Sequence, residues 1–265
     1  MKSVVAATLL AGVAVASPMM EKAKLELQAR NAARRSNTFK SSVDGALGDP
    51  TATDAESTNW AGIAIVTSGI SEVAGTFTVP EISPPGGASA GTSYCGAAWV
   101  GVDGYSNSAL IQTGVLWCVD GSGSGAEYEA WYEYLPASLV DYGNIAISAG
   151  DSVTVTATMT GSNQGTTTLS ANGQTVSHDF SGEGTALQGA SAEWIVEDFS
   201  SNGGLVPFAN FGSVTFTDAT AIINGATVNA ADDDPVNIGL ETSSGTVITD
   251  TSVSGSSLTV TYTGP

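Results

Sequence analysis

From residue 41 to its end, this 265-residue sequence contains neither lysine nor arginine. All seven basic residues, Lys2, Lys22, Lys24, Arg30, Arg34, Arg35 and Lys40, lie upstream of that point. From Asp54 onward, 22 acidic side chains stand against one histidine, His178. Nucleic acid and anionic membrane are both polyanions, so neither is expected as a partner. Lys or Arg ion pairs within the downstream chain cannot offset the repulsion at pH 7. Protonation of carboxylates at low pH relieves it, so the expectation is a domain adapted to acid.

Other absences narrow the chemistry. One histidine excludes a multi-histidine zinc site and with it the His-Glu-x-x-His motif. A Ser-His-Asp triad would have to use His178, which the polar segment Val176-Ser177-His178-Asp179 predicts as an exposed strand or turn residue. No Gly-x-Ser-x-Gly elbow lies in a strand-turn-helix context. The paired Asp-Thr/Ser-Gly motifs of aspartic peptidases are missing, and Asp103-Gly104-Tyr105 departs from that pattern. Phosphate-binding loops and dinucleotide fingerprints are absent, so no cofactor and no metal are expected. Carboxylate, amide and aromatic chemistry remains.

Met1-Lys2 followed by the apolar, small-residue run Val4–Ala16 reads as a secretory signal peptide over residues 1–16, with Ala14-Val15-Ala16 as its cleavage site. The run is too short to span a membrane, and no later segment reaches about 18 consecutive apolar residues. The predicted product is secreted and extracellular. Residues 17–53 form a charged, Ala-rich, helix-compatible stretch that holds six of the seven basic residues. A basic segment ahead of an acidic domain reads as a removable pro-segment covering an acidic cleft until low pH neutralises its partners. The mature start is placed between residues 41 and 57. In a secreted chain, Cys95 and Cys118 are most simply one disulfide.

Residues 54–265 form one domain. Short alternating segments such as Gly75–Val79, Ser152–Met159, Thr166–Leu169, Ser213–Phe216 and Ser257–Tyr262 recur between Gly, Ser, Asn and Asp turns. The period of two predicts an all-β antiparallel sandwich or barrel. On such strands Glu129, Trp131 and Glu133 share one face, as do Glu193, Ile195 and Glu197. Paired carboxylates beside aromatics suit a glycoside hydrolase, a carbohydrate-binding protein or a peptidase, and periodicity does not choose among them.

Longer blocks carry a resemblance. Asn59-Trp60-Ala61-Gly62, Trp99-Val100-Gly101-Val102-Asp103-Gly104, Leu110-Ile111-Gln112-Thr113-Gly114, Ala130-Trp131-Tyr132-Glu133-Tyr134 and Ala192-Glu193-Trp194-Ile195-Val196-Glu197-Asp198-Phe199 resemble the fungal glutamic peptidases, the eqolisins. Phe208–Gly212 and Thr251–Gly255 continue the match, which runs over residues 56 to 264. The resemblance implies a β-sandwich of two long sheets, a concanavalin-like jelly roll. It implies a monomeric acid endopeptidase that acts on protein or peptide substrates without a covalent intermediate and is restrained by its own pro-segment. Gln112 and Glu197 match the catalytic pair, with Glu193 a rival to Glu197 four residues earlier. Trp60, Trp99, Asp103, Trp131, Glu133 and Phe199 match cleft or supporting positions, and Cys95 and Cys118 match the family's disulfide. Two further family cysteines are absent, from Tyr105–Ser108 and from Gln188–Ser191, so a second bridge is lost. Glu129 stands where the family has aspartate.

Overall fold

A computed structural model describes Glu21 and residues 55–265, apart from Ser138, Phe199, Asn202, Gly203 and Val206, with residues 200, 201, 204 and 205 described by their backbone. The signal peptide and, but for Glu21, the pro-segment lie outside the described residues.

From residue 55 on, every regular element described is a strand. In chain order they are β1 (Ala55–Ser57), β2 (Trp60–Val66), β3 (Ile70–Thr78), β4 (Ser93–Val102), β5 (Ile111–Asp120), β6 (Glu127–Tyr134), β7 (Val140–Asp141), β8 (Ser152–Gly161), β9 (Gln164–Ala171), β10 (Gln174–Ser181), β11 (Ser191–Glu197), β12 (Ser200–Ser201), β13 (Gly204–Leu205), β14 (Ser213–Ile223), β15 (Ala226–Asn229), β16 (Val236–Leu240), β17 (Thr249–Ser254) and β18 (Ser257–Tyr262). One large sheet runs β1-β16-β2-β11-β4-β5-β6-β7 and the other β10-β9-β8-β3-β14-β18-β17, with β15 paired to β14. Pairing is antiparallel except for β1 with β16. The alternation left sandwich and barrel open; the fold found is the all-β sandwich that the resemblance implies.

The two sheets differ in how they meet water. In the second, β8 and β9 alternate buried and open positions, and their outward residues are largely threonine and serine. Hydroxyl pairs cross that face, Thr76 with Thr154 at 2.8 Å and Thr215 with Thr259 at 2.9 Å. Such a face stays hydrated whatever the pH. In the first sheet β4, β5 and β11 are buried almost without interruption, so both of their faces are covered. Ile63, Val100, Val115 and Trp194 point inward to the main core. Trp60, Ala97, Trp99, Leu116, Trp131 and Ile195 form a second cluster on the opposite face.

Several contacts fix the first sheet. Cys95 and Cys118 are direct register partners on β4 and β5 and form the expected disulfide. Trp194 donates its indole N–H to the Ala74 carbonyl across the sandwich at 2.9 Å. His178, expected to be exposed, is instead half-buried on β10 and stacks on Tyr132 of β6, ring centroids 4.1 Å apart and 13° from parallel. The sandwich brings the edge strand β10 over β6, so a polar local sequence acquires an aromatic partner that only tertiary packing supplies.

Gly62 on β2 has φ +138°, and a Cβ there would sit 2.1 Å from the Trp194 carbonyl oxygen. Both the backbone conformation and the β2–β11 spacing therefore require glycine. Gly62→Ala is expected to destabilise the domain by about 3 kcal/mol, lowering the melting temperature by roughly 6–12 °C. An unchanged melting temperature in a calorimetric scan would contradict this reading of the β2–β11 contact.

Candidate active site

The register lays the chemical groups out in rows on the outer face of the first sheet. One row is Trp60, Glu197, Ala97, Leu116 and Glu129; the next on this face is Gly62, Ile195, Trp99, Gly114 and Trp131; the third is Ala64, Glu193, Gly101, Gln112 and Glu133. Two glycines clear space for the Trp99 indole. A Cβ at Gly114 would lie 2.6 Å from the Trp99 Cβ, and one at Gly101 would lie 3.0 Å from its ring atom Cζ3. Trp99 therefore lies along the face, and its Nε1 reaches Glu197.

Glu197 is fully buried. Its Oε1 accepts from Trp60 Nε1 at 2.6 Å and from Asn59 Nδ2 at 3.1 Å, and its Oε2 accepts from Trp99 Nε1 at 3.0 Å. Ser57 sets this cradle: its hydroxyl donates to Asn59 Oδ1 and accepts from the Trp60 backbone N–H. The indoles of Trp60 and Trp99 pack edge to face at 5.0 Å. Three N–H donors favour the charged carboxylate, whereas its burial opposes charge. Indole and amide donors do not titrate, so the cradle survives at any working pH.

Gln112 and Glu133 are cross-strand partners, and the Gln112 Nε2 donates to the Glu133 Oε2. Gln112 is fully buried, and its Oε1 has no donor among the described residues. A primary amide carries two N–H groups, so one remains after the bond to Glu133. Gln112 does not hydrogen-bond Glu197, which lies two strands away. By register, Glu193 rather than Glu197 shares its row.

Asp103 takes a supporting place. It is fully buried at the end of β4 with φ 71°. Its carboxylate accepts from the backbone N–H groups of Gln188, Gly189 and Ala190 at 2.6, 3.0 and 2.8 Å, and from Asn107 Nδ2 at 2.8 Å. These bonds join the two segments from which the further cysteines are missing. Trp131 is buried beside the site, and its Nε1 has no acceptor among the described residues. Glu129 is only half-buried, at the margin of the face. Phe199 lies outside the described residues. Asn59 was not singled out from sequence, although it heads the Asn-Trp-Ala-Gly block.

Residues 58–262 match the model of the peptidase A4 family. The chain belongs to that family. It is 39% identical to Aspergillopepsin-2 of Aspergillus niger, with 98% of each chain covered. Against Scytalidopepsin B of Scytalidium lignicola the identity is 34%, over 77% of each. A crystal structure of scytalido-glutamic peptidase with a transition state analog inhibitor superposes with a TM-score of 0.68 at 36% identity, covering 77% of this chain and 98% of that one. The crystal structure of aspergilloglutamic peptidase from Aspergillus niger gives 0.59 at 47%, covering 64% and 99%. This peptidase A4 chain is a glutamic-type endopeptidase, and the carbohydrate-active reading of its carboxylates falls away.

The cradle makes a signed prediction for the enzyme. Trp99→Phe removes one of the bonds that stabilise ionised Glu197, so its carboxyl is expected to titrate about one pH unit higher than in the wild type, read by carbon-13 NMR. A titration midpoint that stays in place would contradict the role given to this bond.

Proposed function

We propose that this chain is a secreted acid endopeptidase in which Glu197 is the general base and Gln112 stabilises the oxyanion. The observation that carries the reading is the convergence of the Asn59, Trp60 and Trp99 donors on the Glu197 carboxylate, on the face that also holds the Gln112–Glu133 pair. Ionised Glu197 takes a proton from water as the oxygen attacks the peptide carbonyl carbon. The second N–H of Gln112 donates to the oxygen on which negative charge develops, and its Oε1 is available to orient the water. Protonated Glu197 then gives its proton to the leaving nitrogen, which restores the carboxylate. Attack by water leaves no covalent enzyme intermediate. A glutamine cannot ionise, so this pair need not share a proton as two aspartates do.

The same face supports a role for the segment ahead of the domain. Glu133, Glu193 and Glu197 are all buried on it, and no Lys or Arg follows residue 40. Residues 17–53 bring six basic side chains to the precursor. In the proposed precursor this segment lies over the catalytic face, held by its charge, and is released when acid protonates the carboxylates.

Glu197→Gln and Gln112→Ala are each expected to lower acid protein hydrolysis by at least about 10²-fold while the circular dichroism of the domain is unchanged. Near-normal turnover in a folded variant would remove that residue from the centre of the reaction. A synthetic peptide of residues 17–53, added to the mature domain, is expected to inhibit best near neutrality and to weaken as pH falls through the carboxylate range. Equal inhibition across that range would overturn the electrostatic account.

A further inference from the structure

Directly behind the Gln112–Glu133 pair lies a set of buried hydroxyls that the reaction as written does not use. Thr113 follows Gln112 on β5 and faces the other way, into the sandwich. Its Oγ1 donates to the Trp131 carbonyl of β6 at 2.7 Å and lies 3.2 Å from the Tyr142 hydroxyl. Tyr142 Oη donates to Thr167 Oγ1 at 3.1 Å, and Thr167 belongs to β9 of the second sheet. Thr113 and Thr167 are both fully buried. Burial pushes the Tyr142 phenol above its ordinary value, so it remains a neutral donor through the acid and neutral range.

Placement gives these contacts a task. Glu133, which holds the Gln112 amide, sits near the end of β6. Beyond β6 the first sheet has only the two-residue strand β7, which pairs with Trp131 and Tyr132 but not with Glu133. Among the described residues, the strand carrying Glu133 has no continuing ladder on that side. Thr113 pins it from behind by tying β5 to β6, and Tyr142, packed against the Thr113 hydroxyl, ties the segment after β7 to the second sheet through Thr167. Tyr142 also continues the edge by donating its backbone N–H to Ala130 O at 3.1 Å, and its ring meets Tyr132 at 4.8 Å.

We propose that Thr113 and Tyr142 are positioning residues of the hydrolytic reaction, holding β5 and β6 at the spacing that aims the Gln112 amide. The inference rests on the reading of Gln112 as oxyanion donor. Neither residue touches substrate; both act through Gln112 and Glu133. Their loss therefore falls on the transition state, where small displacements of a donor are felt most, and leaves ground-state binding largely intact.

Steady-state kinetics on one peptide substrate at acid pH test this with Tyr142→Phe, Thr113→Val and Thr113→Ser. Val260→Ala, in the core of the second sheet, gives the baseline for lost stability alone. The expected result is a fall in kcat of about tenfold for Tyr142→Phe and at least that for Thr113→Val, with KM within roughly twofold of wild type. Thr113→Ser, which keeps the hydroxyl, is expected to restore kcat to within about threefold. If kcat in Tyr142→Phe and Thr113→Val stays within roughly twofold of the Val260→Ala baseline, the positioning role is overturned. A Gln112→Ala chain run alongside separates the two readings. If it retains wild-type kcat, the oxyanion assignment fails and the inference goes with it. If it is inactive while the hydroxyl variants are normal, the inference alone fails.

Discussion

In the proposed mechanism a buried carboxylate acts as a base inside a domain with no lysine or arginine, and neutral dipoles keep it ionised. That constraint organises the first sheet. The Glu197 carboxylate is buried, where desolvation favours the protonated form, and it is met by two indole N–H groups and one amide N–H. Indole and amide donors keep their polarity in acid, so the base and its support do not titrate against each other. The indoles also exclude water, which strengthens each remaining bond.

Much of the local architecture serves to bring those donors in. Trp99 can lie along the sheet because Gly101 and Gly114 have no side chain beneath it. Trp60 and Asn59 are oriented by Ser57 at the start of the domain. Asp103 fastens the segment that leads into β11, so the strand that ends in Glu197 enters the sheet in a fixed register. Sheet pairing and the Cys95–Cys118 disulfide hold β4 and β5 together beneath the site. Gln112 is fixed separately, by Glu133 in front and by the Thr113–Tyr142–Thr167 hydroxyls behind.

The fold class was legible because strands such as β8 and β9 keep one face in water and so alternate cleanly. β4, β5 and β11 carry the site and lack that alternation, since both of their faces are covered; their importance showed through block resemblance. The shared faces of Glu129, Trp131 and Glu133, and of Glu193, Ile195 and Glu197, followed from a period of two, and the register has them so. Strand order was not legible, because it depends on contacts far apart in the chain. Asn59 meets Glu197 across 138 positions, and Thr113 meets Tyr142 across 29, with nothing local to mark either pair. The stacking of His178 on Tyr132 was hidden for the same reason.

The central claim is that the ionised Glu197 carboxylate is the base whose protonation ends activity in acid. The most direct test is a carbon-13 NMR titration of the Glu197 carboxyl, recorded in the same buffers as the pH dependence of kcat/KM. The midpoint of the Glu197 titration is predicted to coincide with the acid limb of kcat/KM. A Glu197 that stays protonated, or stays ionised, throughout the pH range over which activity is lost would contradict the account.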